Sequence, residues 1–301
     1  MTTPRPDGIH AGPHTSDAGL FGPESVTWRA MAHPATGIGA SAAAMIQMLY
    51  PPVMYVIDQA SHFRENPELR AQRTSDYAIT ITYGDVAAAE KAGETLRRVH
   101  ARCKAVDPDS GASLVADEPH LLVWVHNSLT WALLRAWGIY GLHLTAEEQD
   151  RFVTEQKISA RLVGADPDAV ASTVVELDAY IDSMTPRLAL TTPGLWFRDV
   201  MVARPEAGGL PAAAIKGLMV QAAVSVMAPH HRELYGFRWS PLKERLVVAS
   251  ARGLLGAAAA KLPVDLAVGQ LREHVDTHAF GSRRVKTVTV PEGPPAELVA
   301  S

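Results

Sequence analysis

A single cysteine, Cys103, leaves no partner for an internal disulfide, no thiolate cluster and no paired-cysteine heme attachment motif, and it fits a reducing compartment. Cationic excess is also missing: 28 Lys and Arg stand against 32 Asp and Glu, a formal net charge of -4, so the basic footprint of a nucleic-acid binder is absent. No Gly-rich loop ends in Gly-Lys-Ser/Thr and no Gly-x-Ser-x-Gly elbow is present. Gly37-Ile38-Gly39 lacks the preceding strand and the third glycine of a dinucleotide loop. Paired Glu-x-x-His motifs, the signature of a di-iron carboxylate bundle, are missing. His274 and His278 lie four apart, but Val275 stands where a zinc protease needs glutamate, so an exposed helix face is the plainer reading. His230 and His231 are adjacent and point apart on a helix.

The first 23 residues carry Pro, Gly and polar groups where a signal peptide would have an apolar stretch, which predicts a flexible arm and a cytoplasmic protein. Residues 37–57 hold no charge over 21 positions, yet Pro51-Pro52 interrupts them; two short buried segments are expected, and no stable membrane span.

What is present is mostly helical pattern, and 47% hydrophobic residues over 301 positions suffice for a full core. Asn66-Pro67 opens a first clear helix whose end, Ala78-Ile-Thr-Ile-Thr82, is β-branched enough to be strand. Gly84-Asp85 introduces a second helix through about Lys104, and residues 107–111 form a turn. A third helix runs from about Asp117 to Tyr140, a fourth opens at Thr145, and a fifth follows the Asp166-Pro167-Asp168 turn. Further helices are expected at 191–203, 210–228 and 240–279, and alternation at 285–290 precedes a Pro-rich tail. The reading is all-α: an arm at 1–23, one multi-helix globular domain at 24–282 and a polar tail at 283–301.

Two inward histidines stand out. A helix through 121–129 places His126 in a stripe with Leu122, Val123, Leu133 and Trp137; a satisfied core histidine is the plain reading of that pattern. The preceding helix carries Val86, Ala89, Gly93, Leu96, His100 and Cys103 on one stripe. Gly93 fits either close helix packing or the approach of something flat. If these two helices form an antiparallel hairpin, the histidines lie about one turn apart in depth and reach one pocket. On the first clear helix Arg70, Thr74, Tyr77 and Ile81 share a side, with Arg73 adjacent; a buried arginine there needs an anionic partner. An all-α protein with inward histidines and no thiolate ligand suits heme, whose propionates would meet guanidinium groups.

The segments HFRENPELRAQRTSDYAITITYGD, TLRRVHARCKA and DEPHLLVWVHNSLTWALL, with FVTEQKISARLVGADP and PHHRELYGFRW, resemble the family that includes latex-clearing protein, a rubber oxygenase, and the mycophenolic-acid-pathway oxygenase. The resemblance spans about 24–240 and implies an all-α fold binding heme b through one axial histidine. It places Arg97-Arg98-Val99-His100 on the family's Arg-x-x-His motif, making His100 the iron ligand and Arg97 a cofactor neighbour. It gives Arg70, Arg73 and Thr74 heme-pocket roles, leaves His126 lining or supporting the pocket, and makes His62 a distal or structural candidate. Met54 stands near the place of the rubber oxygenase's pocket glutamate, so no catalytic base is carried over.

The implied activity is oxidation of an apolar, unsaturated, terpenoid- or polyketide-like small molecule by O2. Its rival is a helical protein that holds heme or a lipophile without turnover. A homo-oligomer is left open.

Overall fold

The helix Pro119–Tyr140 has 22 residues, 14 of them buried, and apolar groups almost all round it, so it can be stable only with neighbours on most sides. In the computed structural model, which describes residues 18–61, 64–203, 205 and 208–281, it is the axis of an all-α fold. In chain order the helices are α1 Val26–Met31, α2 Thr36–Gln47, α3 Pro51–Ala60, α4 Pro67–Tyr83, α5 Val86–His100, α6 Pro119–Tyr140, α7 Ala146–Val163 and α8 Val174–Met184. After them come α9 Thr192–Val202, α10 Gly209–Val226, α11 Pro229–Leu234, α12 Pro241–Lys261 and α13 Val264–His278. A two-stranded antiparallel hairpin, β1 Lys104–Val106 and β2 Ser113–Val115, sits between α5 and α6.

The tightest packing is α2 on α6. A Cβ on Gly39 would lie 3.0 Å from the Leu133 Cα and 3.2 Å from the Ala132 carbonyl oxygen, so the two backbones meet where only glycine fits without a shift. Around this contact Trp124, Trp137, Met45, Ile46 and Leu49 are fully buried. Every indole N–H there is satisfied: Trp124 donates to the Gln47 carbonyl at 3.2 Å and Trp137 to Thr36 Oγ1 at 3.0 Å. As expected, Pro51-Pro52 breaks the uncharged run at 37–57; α2 and α3 meet at 99° and both bury most of their apolar residues.

Local signals set most boundaries. Asn66 caps α4 by accepting from the Leu69 N–H at 2.9 Å, with Pro67 in the first turn. Thr145 and Glu148 form a reciprocal capping box on α7. Elsewhere the structure differs from expectation. Residues 78–82 are helical, because Thr80, Ile81 and Thr82 are buried and tertiary packing overrides β-branched preference. α5 stops at His100 and Lys104 already belongs to β1, the predicted turn at 107–111 being the tip of the hairpin. α8 starts at Val174, since the Asp166 carboxylate accepts from the Asp168 N–H at 2.9 Å and holds a turn before it. Pro263 splits the segment 240–279 into α12 and α13, bent by 78°. The alternating residues 285–290 and the tail lie outside the described residues.

The most consequential difference concerns α5 and α6, which do not pack as a hairpin. α5 lies against α4 and α7, whereas α6 packs on α2, with α7 touching both. The β-hairpin leans on α3 instead, where the Gln59 side chain pairs with the Val106 backbone in both directions, at 2.8 and 2.9 Å.

Candidate functional site

α4 and α5 run antiparallel from the turn at Gly84, where a Cβ would lie 2.5 Å from the Thr80 carbonyl oxygen. Their register can be followed outward from that turn. Ile81 packs with Ala89 and Ala92, then Tyr77 comes under the field of Arg97, and at the open end Arg70 acts on both His100 and Cys103. Residues seven apart on α4 share a face, which is how Arg70 and Tyr77 both turn toward α5.

His100, the last residue of α5, is enclosed on most sides while retaining some accessible surface. Its Nδ1 is buried and has no hydrogen-bond partner. Burial is the main cause that depresses its pKa, Arg70 lowers it further and Asp117 partly opposes them, so the imidazole is neutral at pH 7. Asp117 comes close because the hairpin returns the chain: the Ala116 N–H donates to the Cys103 carbonyl and the Cys103 N–H to the His100 carbonyl, each at 3.0 Å.

Arg70 is similarly enclosed. Desolvation lowers its pKa, Cys103 raises it and Arg73 lowers it; no ion pair is formed by its guanidinium among the described residues. The Cys103 thiol is pushed up by burial, against the pull of Arg70, and stays protonated at neutral pH. Two turns along α4, the Tyr77 hydroxyl is buried without a partner, its pKa raised by desolvation, and its ring meets Phe280 edge-on at 5.3 Å. An unpaired buried imidazole nitrogen, an unpaired phenol and a desolvated guanidinium without an anion therefore line the same helix pair.

The remaining sequence candidates divide. Arg73 and Thr74 are on the exposed side of α4 near Arg70, and the Thr74 hydroxyl donates to the Arg70 carbonyl at 3.1 Å. Arg97 reaches the C-terminal end of α7, donating from Nη1 to the Leu162 carbonyl at 2.6 Å. Gly93 serves helix packing, since a Cβ there would lie 2.9 Å from the Leu162 carbonyl oxygen. His126 is on α6, buried, with its pKa lowered to about 4 by desolvation alone, so no charged group shares its setting as Arg70 shares that of His100. His62 lies outside the described residues. His274 fastens α13 to α4, its Nε2 2.9 Å from the Asp76 carboxylate, and the His278 ring stacks on it at 4.7 Å. Tyr77 and Asp117 received no role from sequence. The spacing from Arg70 pointed to Tyr77, but Asp117 needed the unforeseen β-hairpin.

Glu155, in the quoted segment FVTEQ, has a structural place. Its carboxylate accepts from the Val26 and Thr27 N–H groups at 3.1 and 2.8 Å and so anchors the first turn of α1.

No curated protein and no solved structure matches the chain significantly. Residues 28–260, well over half of the sequence, match the family model described as "ER-bound oxygenase mpaB/B'/Rubber oxygenase, catalytic domain". The match spans α4, α5 and α6 with the unsatisfied polar groups of the first two, and the chain belongs to that family of oxygenase catalytic domains.

Proposed function

We propose that the protein is a heme-dependent oxygenase that uses O2 on an apolar, unsaturated, terpenoid- or polyketide-like small molecule, with His100 as the axial ligand. The observation that carries this is the neutral, partly enclosed imidazole of His100, one nitrogen buried and unpaired, beside an Arg70 guanidinium that has no anionic partner among the described residues. Family membership supports an oxygenase with O2 and a small-molecule substrate.

The residues fit the group. Among the described residues no three His, Cys, Asp or Glu side chains converge, so a metal bound by protein ligands alone has no ligand set there. A porphyrin brings its own four nitrogens and needs one imidazole from the protein. It also brings carboxylates, which answer a desolvated guanidinium and an unpaired phenol. When bound, the heme would supply the dioxygen chemistry.

The chain's own part is then definable. Burial, with Arg70 adding to it, keeps His100 neutral, the form whose lone pair would bind iron, and Arg70 would hold a carboxylate by charge. Tyr77 donates its O–H to the same class of group. Arg73 and Thr74 flank this end of α4 on its exposed side, where they would meet a polar or anionic group approaching Arg70. Arg97, fixed to Leu162, fastens α5 to α7 and sets the height at which His100 ends the helix. His126 supports the fold as a neutral buried ring on α6.

The test is the absorption spectrum of purified, heme-supplemented protein beside His100→Ala. A Soret band that is lost or shifted in the variant supports both cofactor and ligand, and oxygen uptake driven by an unsaturated lipophile supports turnover. Folded wild type that stays colourless overturns the reading.

A further inference from the structure

From residue 209 to 226 and from 245 to 261 the chain contains no Asp or Glu, but it does contain Lys216, Arg245, Arg252 and Lys261. In a protein with net charge -4 this is a local reversal of sign. The two segments are α10 and most of α12, which pack along each other. α12 buries Val247 and Ala251 on one side. The opposite side carries Leu242, Leu246, Ala249, Gly253, Ala257 and Ala260, three or four apart and all exposed, with Leu242 at 66% and Leu246 at 61%. On α10 the first half is free in the same way, with Leu210 at 79% and Ile215 at 51% exposed. A groove of about 370 Å³ runs beside it, lined by Val202, Leu210, Ala214 and Gly217 among others.

We infer that α10 and α12 form a docking face for the surface of a membrane containing anionic lipid. Apolar side chains enter the boundary between headgroups and acyl chains, and Lys216, Arg245, Arg252 and Lys261 meet the phosphates and carboxylates above it. The charge pattern selects this occupant. A second copy related by a two-fold axis would set the cations of one α12 beside those of the other with a single acid on that helix to receive them, Glu244, whose carboxylate already accepts from the Trp239 indole N–H at 3.1 Å, whereas anionic headgroups complement them. The geometry also fixes docking as peripheral. α10 is long and apolar enough to cross a bilayer, but its second half is committed to the protein core: Val220 and every residue from Ala222 to Val226 are buried.

The inference is independent of any cofactor and is tested on the full chain without heme. Co-sedimentation is measured with vesicles of phosphatidylcholine alone and with phosphatidylserine added. Wild type is expected on the anionic vesicles and not on the neutral ones, with binding weakened by salt. Leu242→Glu with Leu246→Glu should weaken it at least about tenfold, since both leucines lose their burial in the interface. Val175→Glu, an equally exposed position on α8, should leave binding unchanged and controls for surface charge. Wild type that ignores anionic vesicles, or a double variant that binds like wild type, overturns the inference. A concentration-dependent dimer abolished by the double variant, without vesicle binding, would assign the face to a second copy and overturn it as well.

Discussion

The contact between α2 and α6, where Gly39 lets the backbones meet, and the contact between α4 and α5, joined through the turn at Gly84, treat their polar groups differently. Around α6 most of the buried donors find partners within the protein, the Asn127 side-chain amide nitrogen being an exception. Trp131 donates to the Asp178 carboxylate at 2.8 Å, Tyr140 lies 2.6 Å from the Ser225 hydroxyl, and Tyr235 reaches the Met45 carbonyl at 2.7 Å. Between α4 and α5 the Tyr77 hydroxyl and the His100 Nδ1 have none among the described residues, and Arg70 is desolvated without an anion there. An unpaired buried polar group costs roughly 1–3 kcal/mol, so a fold tolerates several together where something else completes them. The first pair meets most of its polar needs internally; the second leaves them to whatever the proposed function brings to it. Truncation should therefore have its largest effect in the first pair. Trp137→Ala, which empties a fully buried site, should destabilise the protein by about 3–5 kcal/mol in urea unfolding. A loss under about 1 kcal/mol would mean the α6 contact is far looser than its burial indicates.

The next effect distinguishes two neutral histidines by pH. His126 falls from an ordinary 6.5 to about 4 in the fold because burial disfavours its charged form. Between those values the unfolded chain binds a proton that the folded one refuses, so stability rises with pH across the window. It is fully present above about 6.5 and lost as pH falls toward about 4, a change worth about 3 kcal/mol. His126→Gln should remove one proton from the pH slope of unfolding free energy in that window, whatever it does to the absolute stability. An unchanged slope would show that the His126 ring is not the buried neutral group described here.

Much of this division was legible in the sequence, for a physical reason. Apolar period, Asn66-Pro67, the Thr145 capping box and Pro51-Pro52 are local signals, and each produced the element it predicted. The inward direction of His100 and the grouping of Arg70 with Tyr77 followed from helical spacing alone. What spacing does not contain is the choice of neighbour. The twelve-residue spacer assumed between the two histidine helices turned out to be a β-hairpin docked on α3, so the histidines were not brought together by helix pairing and Asp117 was delivered to His100. Gly93 was ambiguous for the same reason: the Leu162 carbonyl it accommodates belongs to α7, some seventy positions away.

Arg70 sharpens the comparison because its removal should act in opposite directions on stability and on binding. In the cofactor-free protein, Arg70→Leu relieves a desolvated cation that forms no ion pair among the described residues, and stability should be unchanged or raised by up to about 1 kcal/mol. Heme retention in the supplemented protein should fall, read as the ratio of Soret to protein absorbance after desalting. A loss of stability comparable to that of Trp137→Ala would class Arg70 with the first pair and remove it from the site.

The smallest effect tests how the β-hairpin contributes. Among the charges that act on His100, Arg70 lowers its pKa and Asp117 raises it, while burial sets the overall downward direction. Asp117→Asn removes the upward influence and leaves the others, so the imidazole should titrate at still lower pH, followed by the NMR shifts of its ring protons. The change will be well under that of burial itself, because Asp117 ranks last of the three causes. The fold should tolerate it: α6 starts at Pro119, and its adjoining turn is held by the Glu118 carboxylate accepting from the Val115 N–H at 2.7 Å, which the substitution leaves intact. Axial imidazoles are tuned by charge and hydrogen bonding at the ring nitrogen away from the metal, so the same variant should shift the spectrum of the heme-loaded protein by a small amount if Asp117 faces that nitrogen. If neither the titration nor the spectrum moves, the hairpin holds the chain in place without tuning His100, and the pocket's electrostatics reduce to burial and Arg70.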